Sequence, residues 1–350
     1  MSVDTLPESV STLTLPESVL SQPQAHRVLT GDRPTGRLHV GHYFGTLQNR
    51  VRLQNQGVDL LVLVADYQVL TDRDSTTGLS DTVEELVLDY LAVGIRPEVS
   101  TVFAHSAVPA LNQLLLPFLS LVSTAELDRN PTVKEEIAAS RHSAVSGLMY
   151  TYPVHQAADI LFCGATLVPV GDDQLPHLEL TRTIARRFNT RYRELFPVPR
   201  ALLSAAPRLR GLDGSAKMGK SAGNSIPISA TADETARLIR SAVTDTRRVI
   251  SYEPQTRPQV ANLLLLAGLC AQRDPAKLAT EIGDGGAARL KAVLTEAVNE
   301  FFAPIRRRRA EYAQDRSVVR RLLAEGNARA NELADATLRR VNEAMGTRYC

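Results

Sequence analysis

Arg27-Val28-Leu29-Thr30, then Gly31-Asp32-Arg33-Pro34-Thr35-Gly36, and a little later Asp59-Leu60-Leu61-Val62-Leu63-Val64-Ala65 decide the fold. Residues 27–30 read as a short apolar strand, and the hexapeptide after them as a turn. Val40, Phe44, Leu47 and Val51 then recur at helical spacing within residues 38–54. Residues 59–65 are a continuous apolar run, the pattern of a strand covered on both faces of a parallel sheet. Residues 80–93 read as an amphipathic helix and 101–104 as a third strand. Residues 158–162 and 165–170 add helix and strand. This alternation predicts an α/β fold, a doubly wound parallel sheet. Residues 111–121 are an apolar helical stretch in which Pro117 is expected to make a kink.

From about Thr231 onward, helices punctuated by glycine dominate, which predicts a second, helical domain. A length of 350 residues fits two domains, at roughly 100–200 residues each. We place an N-terminal tail at 1–25, the α/β domain at 26–225 and the helical domain at 226–350. The tail holds a near-repeat, Thr5-Leu-Pro-Glu-Ser-Val10 and Thr14-Leu-Pro-Glu-Ser-Val19, with no helical or strand period. It is expected to be disordered or loosely docked.

Charge is balanced, with 40 basic and 38 acidic residues. That excludes a generic polycation; an RNA partner would have to be met by arginines gathered on one face. Arg306 to Arg309, with Arg320, Arg321, Arg339 and Arg340, form such a concentration. A solvated helix face accounts for it equally well. Cys163, Cys270 and Cys350 are far apart and form no CxxC pair, so neither a structural metal site nor a disulfide framework is expected. No stretch approaches the roughly 18 apolar residues of a membrane span, and no secretory signal is present at the N-terminus. A cytoplasmic protein is the expectation, with neither membrane nor DNA as partner.

Two short motifs carry the chemistry. Thr35-Gly36-Arg37-Leu38-His39-Val40-Gly41-His42 joins the first strand to a helix. That junction lies at the carboxyl end of the strands, where ligands bind in such sheets, and helix N-termini favour phosphate. Gly41 leaves room for a flat base to approach the helix backbone. His39 and His42 share one face and are suited to donate to phosphate oxygens and to charge developing on a leaving pyrophosphate. Alone, this motif indicates nucleotidyl transfer and no more. Lys217-Met218-Gly219-Lys220-Ser221 puts two point charges in a Gly/Ser-rich loop, able to close over a triphosphate.

The two motifs together resemble those of class I aminoacyl-tRNA synthetases, a Rossmann-like family. Three further segments narrow the likeness. These are Thr151-Tyr-Pro-Val-His-Gln-Ala-Ala-Asp159-Ile-Leu161, Val168-Pro-Val-Gly-Asp-Asp-Gln174, and His177-Leu-Glu-Leu-Thr-Arg182. With Leu91-Ala-Val-Gly-Ile95 and Ser241-Ala-Val-Thr-Asp245, they resemble bacterial tryptophanyl-tRNA synthetases from about residue 26 to about residue 346.

The resemblance implies ATP and Mg²⁺ as cofactors, L-tryptophan and tRNA-Trp as partners, and a homodimer. It implies that Asp159 accepts the indole N–H, while Val168 and Val170 wall the indole slot. Gln174 and Tyr152 lie near the amino and carboxylate ends, and Gly31 permits close approach of backbone to tryptophan. Gly171 and Asp173 lie near the ATP ribose. His39, His42, Lys217 and Lys220 carry the transition-state charge, helped at the nucleotide by Arg33, Gly41, Met218 and Ser221. Lys134 is a further candidate for the phosphates, and residues 111–121 for the dimer interface.

Four pocket positions and one loop position depart from the family. Arg33 stands where Gln is common, Leu29 replaces a Phe, Gln156 a Met and Gln68 a His, while Gly219 replaces the central Ser of the usual KMSKS loop. The pocket changes resemble a divergent auxiliary (type II) branch, some members of which tolerate indole-like antibiotics; a cation at Arg33 and altered hydrogen bonding at Gln68 would disfavour such an inhibitor while keeping tryptophan. The chain contains no Trp at all, so its synthesis does not require charged tRNA-Trp. Three alternatives share part of the pattern: a tyrosyl-tRNA synthetase, a small-molecule adenylyltransferase, and a non-catalytic regulatory paralogue.

Overall fold

The computed structural model describes residues 15–71, 75–139, 145–171, 174–203, 209–220 and 222–349. In chain order the first elements are α1 (Glu17–Ser21), β1 (Arg27–Asp32), a helix α2 over residues 40–55, β2 (Asp59–Val64), α3 (Leu79–Val93) and β3 (Ser100–Ala104). Then come α4 (Pro109–Gln113), α5 (Leu115–Leu119), α6 (Thr124–Asp128), α7 (Pro131–Ala139), α8 (Gly147–Phe162), β4 (Leu167–Val170), α9 (Leu175–Arg191) and β5 (Arg200–Leu203). The rest is helical: α10 (Ala232–Arg240), α11 (Pro258–Ala271), α12 (Pro275–Ile282), α13 (Gly286–Ala313) and α14 (Arg316–Met345).

The five strands form one parallel sheet in the order β3-β2-β1-β4-β5. The apolar run at β2 behaves as its composition dictates. Leu60, Val62 and Val64 enter the core on one face, and Leu61 and Leu63 the core on the other. Strand order reverses between β1 and β4, and the crevice beyond their carboxyl ends is where such sheets hold ligands. At that edge Gly31 pairs with Leu63, and a Cβ on it would lie 2.3 Å from the Leu63 carbonyl oxygen. Only glycine lets β1 and β2 meet there.

Three expectations change. Residues 15–25 are not a loose tail: α1 buries Val19 completely and Leu15 joins the same core. Two buried apolar side chains, rather than a periodic set, dock this segment; residues 1–14 lie outside the described part. Residues 111–121 are not one helix kinked at Pro117. The break falls at Leu114, between α4 and α5, and Pro117 sits in the first turns of α5, where its missing N–H costs little.

The C-terminal region is helical as expected, and it shares its core with the sheet rather than standing apart. One core cluster runs from Val28 and Leu60 through Leu263 and Leu294 to Phe302. The arginine run that seemed available for RNA is largely consumed in this docking. Arg309 bridges Asp89 at 2.7 Å and also reaches Glu85, Arg308 donates to the Ala92 carbonyl at 2.8 Å, and Arg306 is bonded to Asn299 and Thr235. α14 then returns along the free edge of β3. Gly326 touches the strand so closely that a Cβ would lie 1.8 Å from the Val102 carbonyl oxygen. Asn327 caps the edge by accepting from the Ala104 amide at 3.0 Å.

Candidate active site

A cleft of about 820 Å³ opens at the carboxyl ends of β1 and β4. Of the expected site residues, Gly31, Arg33, His39, His42, Gln68, Tyr152, Gln156, Asp159, Val168, Val170, Gly171, Gln174, Lys217, Met218 and Lys220 all line it. Gly41 does not face the cleft. It lies behind His39, where a Cβ would come within 3.0 Å of the ring. Asp173 and Ser221 fall outside the described residues. Lys134 is exposed on α7 and is not part of the cleft lining.

The two motifs, far apart in sequence, are stitched by residues 226–228. The Val40 amide donates to the Ile226 carbonyl at 2.9 Å and the Ile228 amide to that of Leu38 at 3.0 Å. The lysine loop is thus carried to the start of α2. Asn224 shapes that loop from within, accepting from the Gly219 amide at 2.9 Å and donating to the Lys217 carbonyl and Ser215 hydroxyl. Lys220 donates through Nζ to the Arg33 carbonyl at 2.8 Å, and burial holds its pKa down.

His39 and His42 have ring centroids 3.7 Å apart. Nδ1 of His42 accepts from the His39 amide at 3.2 Å, which places its proton on Nε2. Burial, reinforced by Lys220 and Lys217, lowers the His39 pKa to about 4, and burial together with His39 lowers that of His42. Both imidazoles are therefore neutral at pH 7, and the lysines supply the cationic charge that sequence reading had shared among all four residues.

A buried group that sequence reading passed over holds this end together. Arg50, fully enclosed, donates to Asp32 at 2.6 Å and to the Gly31 carbonyl at 3.1 Å, and the Tyr90 hydroxyl donates to Asp32 at 2.8 Å. Burial opposes ionisation of Asp32, but Arg50, then Lys220 and His42, outweigh it and hold its carboxyl below the usual range. The signal was present: Arg50 interrupts the apolar spacing of α2, one position before Val51 and three after Leu47.

At the other end apolar walls surround a few polar groups. Asp159, in the last turn of α8, is 1% exposed and lines the cleft with Leu29, Ile160 and Val168. His105 holds its Oδ1 through Nε2 at 2.7 Å. The Tyr152 hydroxyl meets Nε2 of the buried His177 at 3.0 Å. His105 and His177 were also missed. His105 directly follows β3, at the carboxyl edge of the sheet where site residues collect, and that was its available sign.

Residues 22–303 match the family described as tRNA synthetases class I (W and Y). The chain belongs to that family. It is 43% identical over 326 residues to the tryptophan–tRNA ligase of Treponema pallidum, covering 91% of this chain and 96% of that one. To the tryptophan–tRNA ligase of Clostridium longisporum it is 40% identical over 331 residues, covering 92% and 97%. Its fold matches the crystal structure of tryptophanyl-tRNA synthetase from Campylobacter jejuni complexed with ADP and tryptophan, with a TM-score of 0.81 at 28% identity, over 91% of this chain and 99% of that one.

Proposed function

We infer that this chain activates L-tryptophan with ATP and transfers it to tRNA-Trp. The observation that carries the choice of amino acid is Asp159, a buried carboxylate that lines the cleft beside the apolar Leu29, Ile160 and Val168. Such a group accepts one donor and disfavours a ligand without it, by up to ~10⁴–10⁵. The indole N–H supplies that donor. Val168 and Val170 wall the ring, and Gly31 admits it close to β1. Gln68, Tyr152, Gln156 and Gln174 orient the rest of the amino acid.

In the first step the tryptophan carboxylate attacks the α-phosphorus, one P–O bond forms, the bond to the β,γ-phosphates breaks, and pyrophosphate leaves. The nucleophile is already ionised, so no base is required and catalysis is positioning and charge stabilisation. His39 and His42, neutral before ATP binds, donate N–H groups, Lys217 and Lys220 bring positive charge, and Arg33, Gly171 and Met218 hold the nucleotide, while Gly41 leaves the His39 ring its place and Asp173 and Ser221 are further members. Mg²⁺ would add charge neutralisation on the triphosphate. Asp32, the carboxylate beside the lysines, is committed to Arg50 and Tyr90, so the ion is expected to arrive on the nucleotide.

The same reading extends to a cytoplasmic homodimer. Within residues 111–121, Leu111, Leu114, Phe118 and Leu121 are buried in the chain itself, and Leu116, 75% exposed, is the side chain left to meet a partner. Among the described residues no helix is long and apolar enough to cross a membrane. Insensitivity to indole-like inhibitors is supported by Leu29, Arg33, Gln68 and Gln156, all of which line the cleft. The deciding experiment is ATP–pyrophosphate exchange with tryptophan, with tyrosine and with no amino acid. Exchange is expected with tryptophan alone; tyrosine-dependent exchange, or none, would overturn the assignment. Repeating it with indolmycin tests the inhibitor reading, which fails if tryptophan activation stops at the dose that stops a sensitive synthetase.

A further inference from the structure

Below the cleft floor lies a network the mechanism above does not use. Asn112 donates through Nδ2 to the carbonyls of His105 (2.9 Å) and Val108 (3.0 Å), which fixes the orientation of its amide. Its Oδ1 then faces Nε2 of His155 at 2.7 Å. An amide oxygen only accepts, so the His155 proton is on Nε2. With Asp159 Oδ1 as acceptor, His105, 2.7 Å away, likewise carries a proton on Nε2. The two rings pack with centroids 4.7 Å apart, both buried. Their Nδ1 atoms find no partner among the described residues. Leaving two buried lone pairs unmet is costly, which is the mark of a constrained site.

We propose that His105 is a positioning residue that makes Asp159 selective: by occupying Oδ1 it locks the carboxylate and leaves Oδ2 as the single acceptor for one ring N–H. A free Asp side chain turns easily about its last torsion, which is broad and two-fold. Held by His105, it presents one oxygen in one direction. His155 and Asn112 form the layer that keeps the His105 ring and main chain in place. The proposal rests on the reading of Asp159 as the indole acceptor.

Ligand atoms of His105, His155 and Asp159 also lie within 4.8 Å of one another, near enough to suggest a cation. Both Nε2 atoms are committed in short hydrogen bonds to Asp159 and Asn112, so a cation would have to take the Nδ1 lone pairs, which calorimetry can detect.

The test compares tryptophan with β-(3-benzothienyl)alanine, in which sulfur replaces the indole N–H, by ATP–pyrophosphate exchange. The unaltered protein should prefer tryptophan by about 10²-fold or more in kcat/KM. His105→Leu should raise the tryptophan KM about tenfold or more, collapse that preference, and leave kcat and the ATP KM within about threefold. His105→Gln, which keeps a donor, should restore most of the preference, and Asn112→Leu should show a weaker loss in the same direction. Equal loss for both amino acids, or a fall in kcat with the preference intact, would reduce His105 to packing and overturn the proposal. So would Zn²⁺ binding by calorimetry at one per chain, competitive with tryptophan and absent in His155→Leu. No tryptophan preference in the unaltered protein would instead sink the reading of Asp159 itself, and this proposal with it.

Discussion

The two ends of the cleft solve different problems with different materials. The end proposed to take the phosphates is built from loops and a helix start, with Lys217 and Lys220 beside His39 and His42, whose pKa values are lowered. The end proposed to take tryptophan is built from α8 and the end of β4, with the buried Asp159 carboxylate hydrogen-bonded to His105. Charge acts at a distance and tolerates a mobile carrier; a matched hydrogen bond does not. The first end should therefore govern rate and the second should govern choice.

The largest effect is expected at the foundation of the phosphate end. Arg50 is fully buried against Asp32. Arg50→Met leaves that carboxylate enclosed without its cation, a loss of about 3–5 kcal/mol for a broken buried pair. Chemical denaturation should show it. A variant within about 1 kcal/mol of the parent would mean that Lys220 alone can replace Arg50.

Next comes the split between rate and choice. Lys220→Ala should lower kcat by about 10²–10³ while the tryptophan KM moves little. Asp159→Asn should lower kcat/KM for tryptophan by about 10–10², as expected for a hydrogen bond to a charged group, with the ATP KM unchanged. If each variant moved both substrates equally, the two ends would not be separable.

Proton linkage offers a smaller test. The His39 pKa of about 4 lies below its usual 6.5. The unfolded chain therefore binds more protons in that window, so this group's contribution to stability is present above 6.5 and is lost as pH falls toward 4. A bound triphosphate favours the charged ring and raises the pKa. Calorimetry at pH 6 in buffers of different ionisation enthalpy should show proton uptake on ATP binding, fading by pH 8 and reduced in His39→Asn. Uptake undiminished in that variant would assign the proton elsewhere.

The sequence revealed these two ends unequally. The doubly wound sheet was legible because an apolar run such as 59–65 has few other uses, and the lysines and histidines because their motifs are local. Arg50 left a local sign in the apolar spacing of α2, but its pairing with Asp32 and Tyr90 was not legible, since that network joins a strand end to two helices and no spacing encodes it. His105 was hidden likewise: its partner Asp159 is 54 residues away in sequence. Arg306, Arg308 and Arg309 misled in the opposite sense. Charge on a helix reads as surface, whereas here much of it is turned toward α3 and α10.

Gly219 gives the finest test of the division. Its backbone is not in the left-handed region, so nothing in the torsions demands glycine. A Cβ there would lie 3.2 Å from that of Ala222, tight but relievable by a small shift. Its amide is held by Asn224 at 2.9 Å, a bond that a side chain does not remove. Gly219→Ser should therefore be tolerated, stiffening the loop slightly by restricting the unfolded chain. The hydroxyl adds one donor near the phosphates, so kcat should rise or fall by only a few fold, with the tryptophan KM and the preference over tyrosine unchanged. A large fall in kcat would show that the loop must pass through a conformation only glycine reaches. A change in amino-acid preference would break the separation, because it would mean that the loop reports on the far end of the cleft.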